Sequence, residues 1–121
     1  MKKSLILKPT FIREDNRGNL IELLNGYDVK SIATGNMKAG STMGGHYHKK
    51  TTVYFFILAG IAEISGENLK DKKKFKYEIG SNEGMLIPPH VFHIVRFLKK
   101  SQFLMAKSEK YLQKTPDTHT S

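Results

Sequence analysis

No window of a dozen residues in this chain sustains a helical repeat of apolar positions. The apolar residues come instead in short runs of alternating character, separated by turn-forming residues. Thr10 to Arg13 reads as a first strand, closed by the turn Glu14-Asp15-Asn16-Arg17-Gly18-Asn19. Leu20 to Leu24 follows and ends at Asn25-Gly26. Val29 to Met37, Thr52 to Leu58, Ile61 to Ser65, Phe75 to Ile79, Met85 to Ile87, Phe92 to Phe97 and Gln102 to Lys107 bring the series to about nine strands. Ala59-Gly60 reads as a tight turn between antiparallel neighbours. Glu109 to Lys114 is the best helical candidate, at about two turns. Many short strands with regular turn signals predict an all-β sandwich or barrel.

The 121 residues suit a single domain, 1–121, with the barrel over about residues 10–108. The polar tail, 115–121, has no apolar anchor and is expected to be frayed or loosely docked, with His119 solvated. Cysteine is absent, which excludes disulfides and thiolate metal sites. The opening MKKSLILKPTF has only a short apolar run, and no window is long enough to cross a membrane. A cytoplasmic location without membrane contact is expected. The net charge of +9 favours anionic partners. These could be nucleic acid, for which no reader motif appears, acidic lipid or phosphorylated metabolites, and a sugar nucleotide or another small phosphorylated ligand fits the charge as well. Lys72-Lys73-Lys74 reads as a solvated hairpin loop.

Chemistry concentrates in Gly40 to Gly60, GSTMGGHYHKKTTVYFFILAG. Side chains two apart on a strand share a face, so His46 and His48 present both imidazoles to one side. His90 and His93 follow in IPPHVFHIV. A β fold joining the two segments would gather three or four of the five histidines in one cavity. Three neutral imidazoles, His46, His48 and His93, suit zinc, nickel, copper or ferrous iron with open positions left for water or substrate. Without a metal, one histidine could act as a general base beside a keto group, since its pKa lies near neutrality. That chemistry also needs an acid on the enolate oxygen. Tyr47 alternates away from the histidine pair, so Tyr54 is the acid candidate. The bland alternatives are a hydrogen-bonded structural pair at His46 and His48, a rim position for His90, and a plain turn at Arg17-Gly18. Val53 to Leu58 reads as a strand buried on both faces, Phe92 and Phe97 as core, and Arg96 as exposed.

The stretch resembles the first motif of the cupin superfamily, Gly-x5-His-x-His-x3,4-Glu-x6-Gly, with Gly40, His46, His48 and Gly60 at the family spacing. Pro88 to His93 resembles the Pro-x-Gly-x2-His core of the second motif, with His93 at the ligand position and His90 where glycine usually stands. The resemblance runs from Gly40 to Phe97 and implies a single-domain jelly roll, a double-stranded β-helix with its site inside. Asp15 to Glu22, Gly44 to Lys49 and Pro116-Asp117-Thr118 are similar to the cupins that act on nucleotide sugars in surface polysaccharide synthesis. Those include 3,5-epimerases, 3,4-ketoisomerases and capsular epimerase-type domains. Two positions depart from the pattern. The motif's glutamate, a usual fourth metal ligand, falls on Val53, and the arginine that often precedes Gly-x-His falls on Met43.

The resemblance implies an epimerase or isomerase of a nucleotide-activated keto sugar, with His46 and His48 as base or metal ligands, His93 as a ligand and Tyr54 as acid. Arg17 would contact phosphate, and His90 would line the substrate's path. A metal-dependent cupin of another reaction type, such as an oxygenase or lyase, is one rival. A non-catalytic cupin that binds a sugar or small anion is the other, and Val53 and Met43 both speak for it. Cupins of this size commonly pair through sheet edges, so the resemblance also implies a homodimer.

Overall fold

The computed structural model describes residues 5–112 and 114–120. Eleven strands follow one another among these residues. They are β1 (Ile6–Leu7), β2 (Phe11–Asp15), β3 (Gly18–Glu22), β4 (Ser31–Met37), β5 (Thr42–His46) and β6 (Val53–Ala59). Then come β7 (Ala62–Asn68), β8 (Lys74–Ile79), β9 (Glu83–Ile87), β10 (Val91–Phe97) and β11 (Ser101–Lys107). A five-stranded sheet in the order β1-β9-β6-β11-β4 packs on a four-stranded sheet in the order β5-β10-β7-β8. The pairings are antiparallel, and the two sheets make the expected jelly roll. The hairpin β2–β3 stands apart as a two-stranded sheet.

The core follows from the alternation along β6. Val53, Phe55 and Ile57 point between the sheets and pack with Ile64, Ile79, Met85, Ile87, Val95 and Phe97. Tyr54 and Phe56 point the other way, into a second cluster with Ala106, Leu23, Leu24, Val29, Leu86 and Leu104. The strand is therefore buried on both faces, as its unbroken apolar run predicts. Burying a side chain such as Phe55 or Ile57 contributes roughly 1.5–3 kcal/mol.

The structure corrects the sequence reading at several places. The short strand β1 was not expected; two residues carry no readable period, yet they pair with Met85 and Gly84 on the sheet edge. The glycine-rich β5 is likewise a full strand on the edge of the smaller sheet. Ala59-Gly60 does not join a hairpin, because β6 and β7 lie in different sheets. The chain crosses there with Gly60 at φ +114, and a Cβ would lie 2.2 Å from the Ser101 hydroxyl oxygen. Only glycine fits that crossing.

No helix forms among the described residues. Over Glu109 to Lys114, where Gln113 lies outside the described residues, the preceding backbone is already tied down. Ser108 N–H donates to the Thr52 carbonyl, and its hydroxyl accepts from Thr52 N–H. Two turns without an apolar face do not outweigh such anchoring. Among the described residues, no helix is long and apolar enough to cross a membrane.

Candidate active site

β5 and β10 run antiparallel with His46 directly opposite His93. The register then shifts: Ile94 faces Gly44, and Gly45 is left as the extra residue of a bulge. Gly44 and Gly45 both have positive φ, and a Cβ on Gly44 would come within 2.8 Å of the His93 carbonyl oxygen. The glycines before the His-x-His pair thus let the two strands approach where the imidazoles meet. Ring centroids lie 5.0 Å apart for His46 and His93, 5.2 Å for His46 and His48, and 5.6 Å for His48 and His93. One ring nitrogen from each of the three lies within 4.8 Å of the others.

The hydrogen bonds fix two tautomers. His48 Nδ1 lies 2.5 Å from the Asp117 carbonyl oxygen, and His93 Nδ1 lies 3.1 Å from that of Val91. A carbonyl oxygen only accepts, so both Nδ1 atoms carry hydrogen and both Nε2 atoms keep a lone pair. No hydrogen bond ties the His46 ring among the described residues.

All three histidines are held neutral. Burial lowers the His46 pKa, with repulsion from His48 and Lys107 adding to it. Burial also lowers that of His48, against the opposing bond to Asp117. His93 is pushed down to about 4, by burial first and then, against its bond to Val91, by the repulsion a proton on it would meet from His46, His48 and Lys107.

The rings open onto a cavity of about 240 Å³. Met43, Val53, Phe55, Ile87, Val95 and Met105 form its apolar wall. Both departures from the cupin pattern, Met43 and Val53, thus stand on the wall itself. The remaining polar lining is Lys107, Tyr111 and Thr118. Lys107 lies on the inward face of β11, which it shares with Phe103 and Met105, and burial lowers its pKa.

The tail is docked, contrary to expectation. The Asp117 carboxylate accepts hydrogen bonds from the N–H groups of Lys49, Lys50 and Thr51 and from the Thr51 hydroxyl. Burial alone would raise this carboxyl, but the four donors together hold it well below the usual carboxylate range. His119 is not simply solvated. It pairs with Tyr47 through both backbone groups, and its Nε2 lies 3.0 Å from Asp117 Oδ1. A polar segment needs no apolar anchor when one carboxylate caps three consecutive amides.

Three assigned residues stand away from the cavity. Tyr54 faces the second apolar cluster, with its ring edge-on to Tyr27 at 5.2 Å, so it cannot reach a substrate beside the histidines. Its neighbour Val53 takes the inward position, and alternation sends Tyr54 outward. Arg17 sits on the β2–β3 turn, bonded to Asp15 at 2.7 Å, in a separate shallow depression. His90 does not line the cavity; it holds φ 67 at the usual glycine position, and its N–H donates to the His48 carbonyl. Sequence reasoning missed Lys107 and Tyr111 as cavity residues. The inward register of Gln102 to Lys107 was the available signal for Lys107.

The family model described as polysaccharide biosynthesis C-terminal domain matches residues 13–119. The chain belongs to this family. The matched span includes both histidine segments and Asp117. No curated protein matches the chain in sequence.

Among solved structures, a 3,4-ketoisomerase from Helicobacter canadensis is similar at 23% identity and a TM-score of 0.81, covering 96% of this chain and 89% of that one. A dTDP-4-dehydrorhamnose 3,5-epimerase from Sulfolobus tokodaii is similar at 18% identity and a TM-score of 0.78, covering 90% and 72%. The capsular polysaccharide assembling protein CapF from Staphylococcus aureus is similar at 23% identity and a TM-score of 0.69. That match covers 90% of this chain but only 31% of CapF. These likenesses establish the fold of this polysaccharide biosynthesis domain as a jelly roll.

Proposed function

We propose that this chain is an enzyme that moves a proton on a carbon beside the carbonyl of a nucleotide-activated keto sugar, in surface polysaccharide synthesis. The reaction is an epimerisation or a ketoisomerisation. The observation that carries the reading is the convergence of three neutral imidazoles on one apolar cavity. The names of the similar ketoisomerase and epimerase support the substrate class.

In this reading the lone pair on His48 Nε2 removes the proton, and Asp117 holds the ring in that tautomer through Nδ1–H. The C–H electrons pass to the carbonyl oxygen, giving an enolate. For an inversion, a solvent proton returns to the same carbon from the opposite face and the imidazolium gives its proton back to solvent. For a shift, the neighbouring hydroxyl's proton passes to the former carbonyl oxygen, the imidazolium protonates the former carbonyl carbon, and the carbonyl moves one carbon along. A cavity of about 240 Å³ is smaller than the roughly 300–1,000 Å³ of most ligand pockets, which suits a sugar ring inside and the nucleotide at the mouth.

Incubation with a panel of dTDP- and UDP-4-keto sugars in deuterated water tests the reading. Deuterium is expected at a carbon adjacent to the carbonyl, and no incorporation across the panel would sink it.

A second reading rests on the donor set itself. His46, His48 and His93 have the chemistry to hold a divalent zinc, nickel or iron ion, with ring nitrogens within 4.8 Å of one another and no carboxylate at Val53. Such an ion would supply Lewis-acid polarisation of a substrate oxygen. Stoichiometric metal in protein purified without chelator supports this reading; metal-free protein that still exchanges deuterium removes it.

A further inference from the structure

Proton abstraction beside a carbonyl leaves negative charge on oxygen, and the cavity needs a group to meet it. Tyr54 cannot, because it faces the other side of its sheet. Thr118 is neutral, and the arginine of the family pattern is replaced by Met43. Among the described residues, Lys107 is the one basic side chain besides the histidines that lines the cavity.

Its placement is specific. As the last residue of β11, its backbone pairs with Ser31 on one side and Val53 on the other, and its carbonyl accepts from Lys30 N–H at 2.8 Å. Nζ sits 5.0 Å from the centre of the Tyr111 ring, which steadies the ammonium without neutralising it. No carboxylate lies within ion-pairing distance of it among the described residues. A half-buried ammonium without a counter-ion, on the wall of an apolar cavity, is completed by an anion that arrives with the ligand.

We propose that Lys107 is a catalytic residue whose ammonium stabilises the enolate oxygen formed when a histidine removes the neighbouring proton, with Tyr111 positioning it. This inference rests on the keto-sugar reading above. It deepens that reading by supplying the electrophilic partner that the histidines alone lack. The C–H bond breaks, its proton passes to imidazole, its electrons reach the carbonyl oxygen, and Lys107 meets the charge there. On reprotonation the same contact weakens, so the lysine favours the charged intermediate over either keto form.

The experiment measures deuterium exchange on the keto sugar that the wild-type protein turns over, with calorimetry of dTDP or UDP alone as a separate readout. Lys107→Met is expected to lower exchange about 10²–10³-fold, the usual effect of losing one oxyanion partner. Nucleotide affinity should change less than about threefold. Lys107→Arg keeps a cation and should retain more activity than Lys107→Met; it also serves if the methionine variant folds poorly. Tyr111→Leu removes the ring that positions the ammonium and should lower exchange, by less than Lys107→Met does.

Unchanged exchange in folded Lys107→Met would overturn the proposal while leaving the keto-sugar reading intact. A loss confined to nucleotide affinity would overturn it too, since the lysine would then hold phosphate. Loss in Tyr111→Phe with Lys107→Met active would give the role to the phenol instead. A wild-type protein silent across the panel would bring down both readings.

Discussion

At the scale of single residues, the cavity trades stability in acid for neutral imidazoles at pH 7. His93 titrates near 4 in the fold, against about 6.5 in an unfolded chain. Between those values the unfolded chain binds a proton that the folded one refuses, so unfolding gains as the pH falls. The shift corresponds to about 3 kcal/mol, absent above pH 6.5 and complete below about pH 4. His46 and His48 are lowered too and add in the same direction. Denaturation of chelator-treated protein should therefore show a steep loss of stability from pH 6.5 to pH 4, and His93→Asn should flatten it. A second contrast separates the two faces of β6. Tyr54→Phe should leave deuterium exchange within about twofold, whereas His48→Asn should lower it by at least about 10²-fold.

Much of the site was legible because period two is simple geometry: His46 and His48 had to share a side, and the structure keeps that order. The same rule, applied once Val53 was aligned with an inward metal-ligand position, also puts Tyr54 outward. Its error was one of reference face, not of period. Lys107 stayed hidden because a lysine at a strand end reads as solvent-facing until the end of the sheet is known to be the cavity mouth.

At the scale of elements, two short segments hold the site in place. The first is the crossing at Gly60. Its positive φ and the 2.2 Å approach to Ser101 leave no room for a side chain. Gly60→Ala should destabilise the fold by more than about 2 kcal/mol, read as a lower denaturant midpoint at unchanged slope. The cupin glycine spacing carried this position in the sequence, but the crossing between sheets was not legible, since a hairpin and a crossover begin with the same residues.

The second segment is the strap around Asp117. Its carboxylate closes three amides of the loop after His48, and its carbonyl sets that histidine's tautomer. Asp117→Ala should cost about 2 kcal/mol, since hydrogen bonds to a charged acceptor are lost. It should also lower exchange, because the strap's hold on His48 loosens. Asp117→Asn should fall between, keeping the shape but not the charge. Because this carboxyl is held low, its contribution is complete above its unfolded pKa near 3.8 and fades as the pH falls below that.

At the scale of the whole molecule, the hairpin β2–β3 is the unfinished part. Among the described residues it pairs with no third strand, and a lone two-stranded ribbon is at best marginally stable in water. Both of its faces carry exposed apolar residues: Phe11 at 51% and Leu20 at 47% on one, Ile12 at 55% on the other. The larger sheet has a matching deficiency, for β4 is an edge strand and its Ile32 is 63% exposed. Free edges and apolar ribbons of this kind are covered in stable proteins. The expected homodimer would cover them with a second copy of the chain.

Sedimentation should therefore give a species of twice the 13.8 kDa chain mass. Ile12→Lys with Leu20→Lys should shift it toward the monomer without changing the far-ultraviolet signature of the jelly roll. The net charge adds a sign. Two copies at +9 each repel, and salt screens that repulsion over about 10 Å at 0.1 M. Association should accordingly tighten as salt rises, the reverse of what an interface built on opposite charges would do. A monomer at every salt concentration would mean that the hairpin remains exposed and that the site is built by one chain alone.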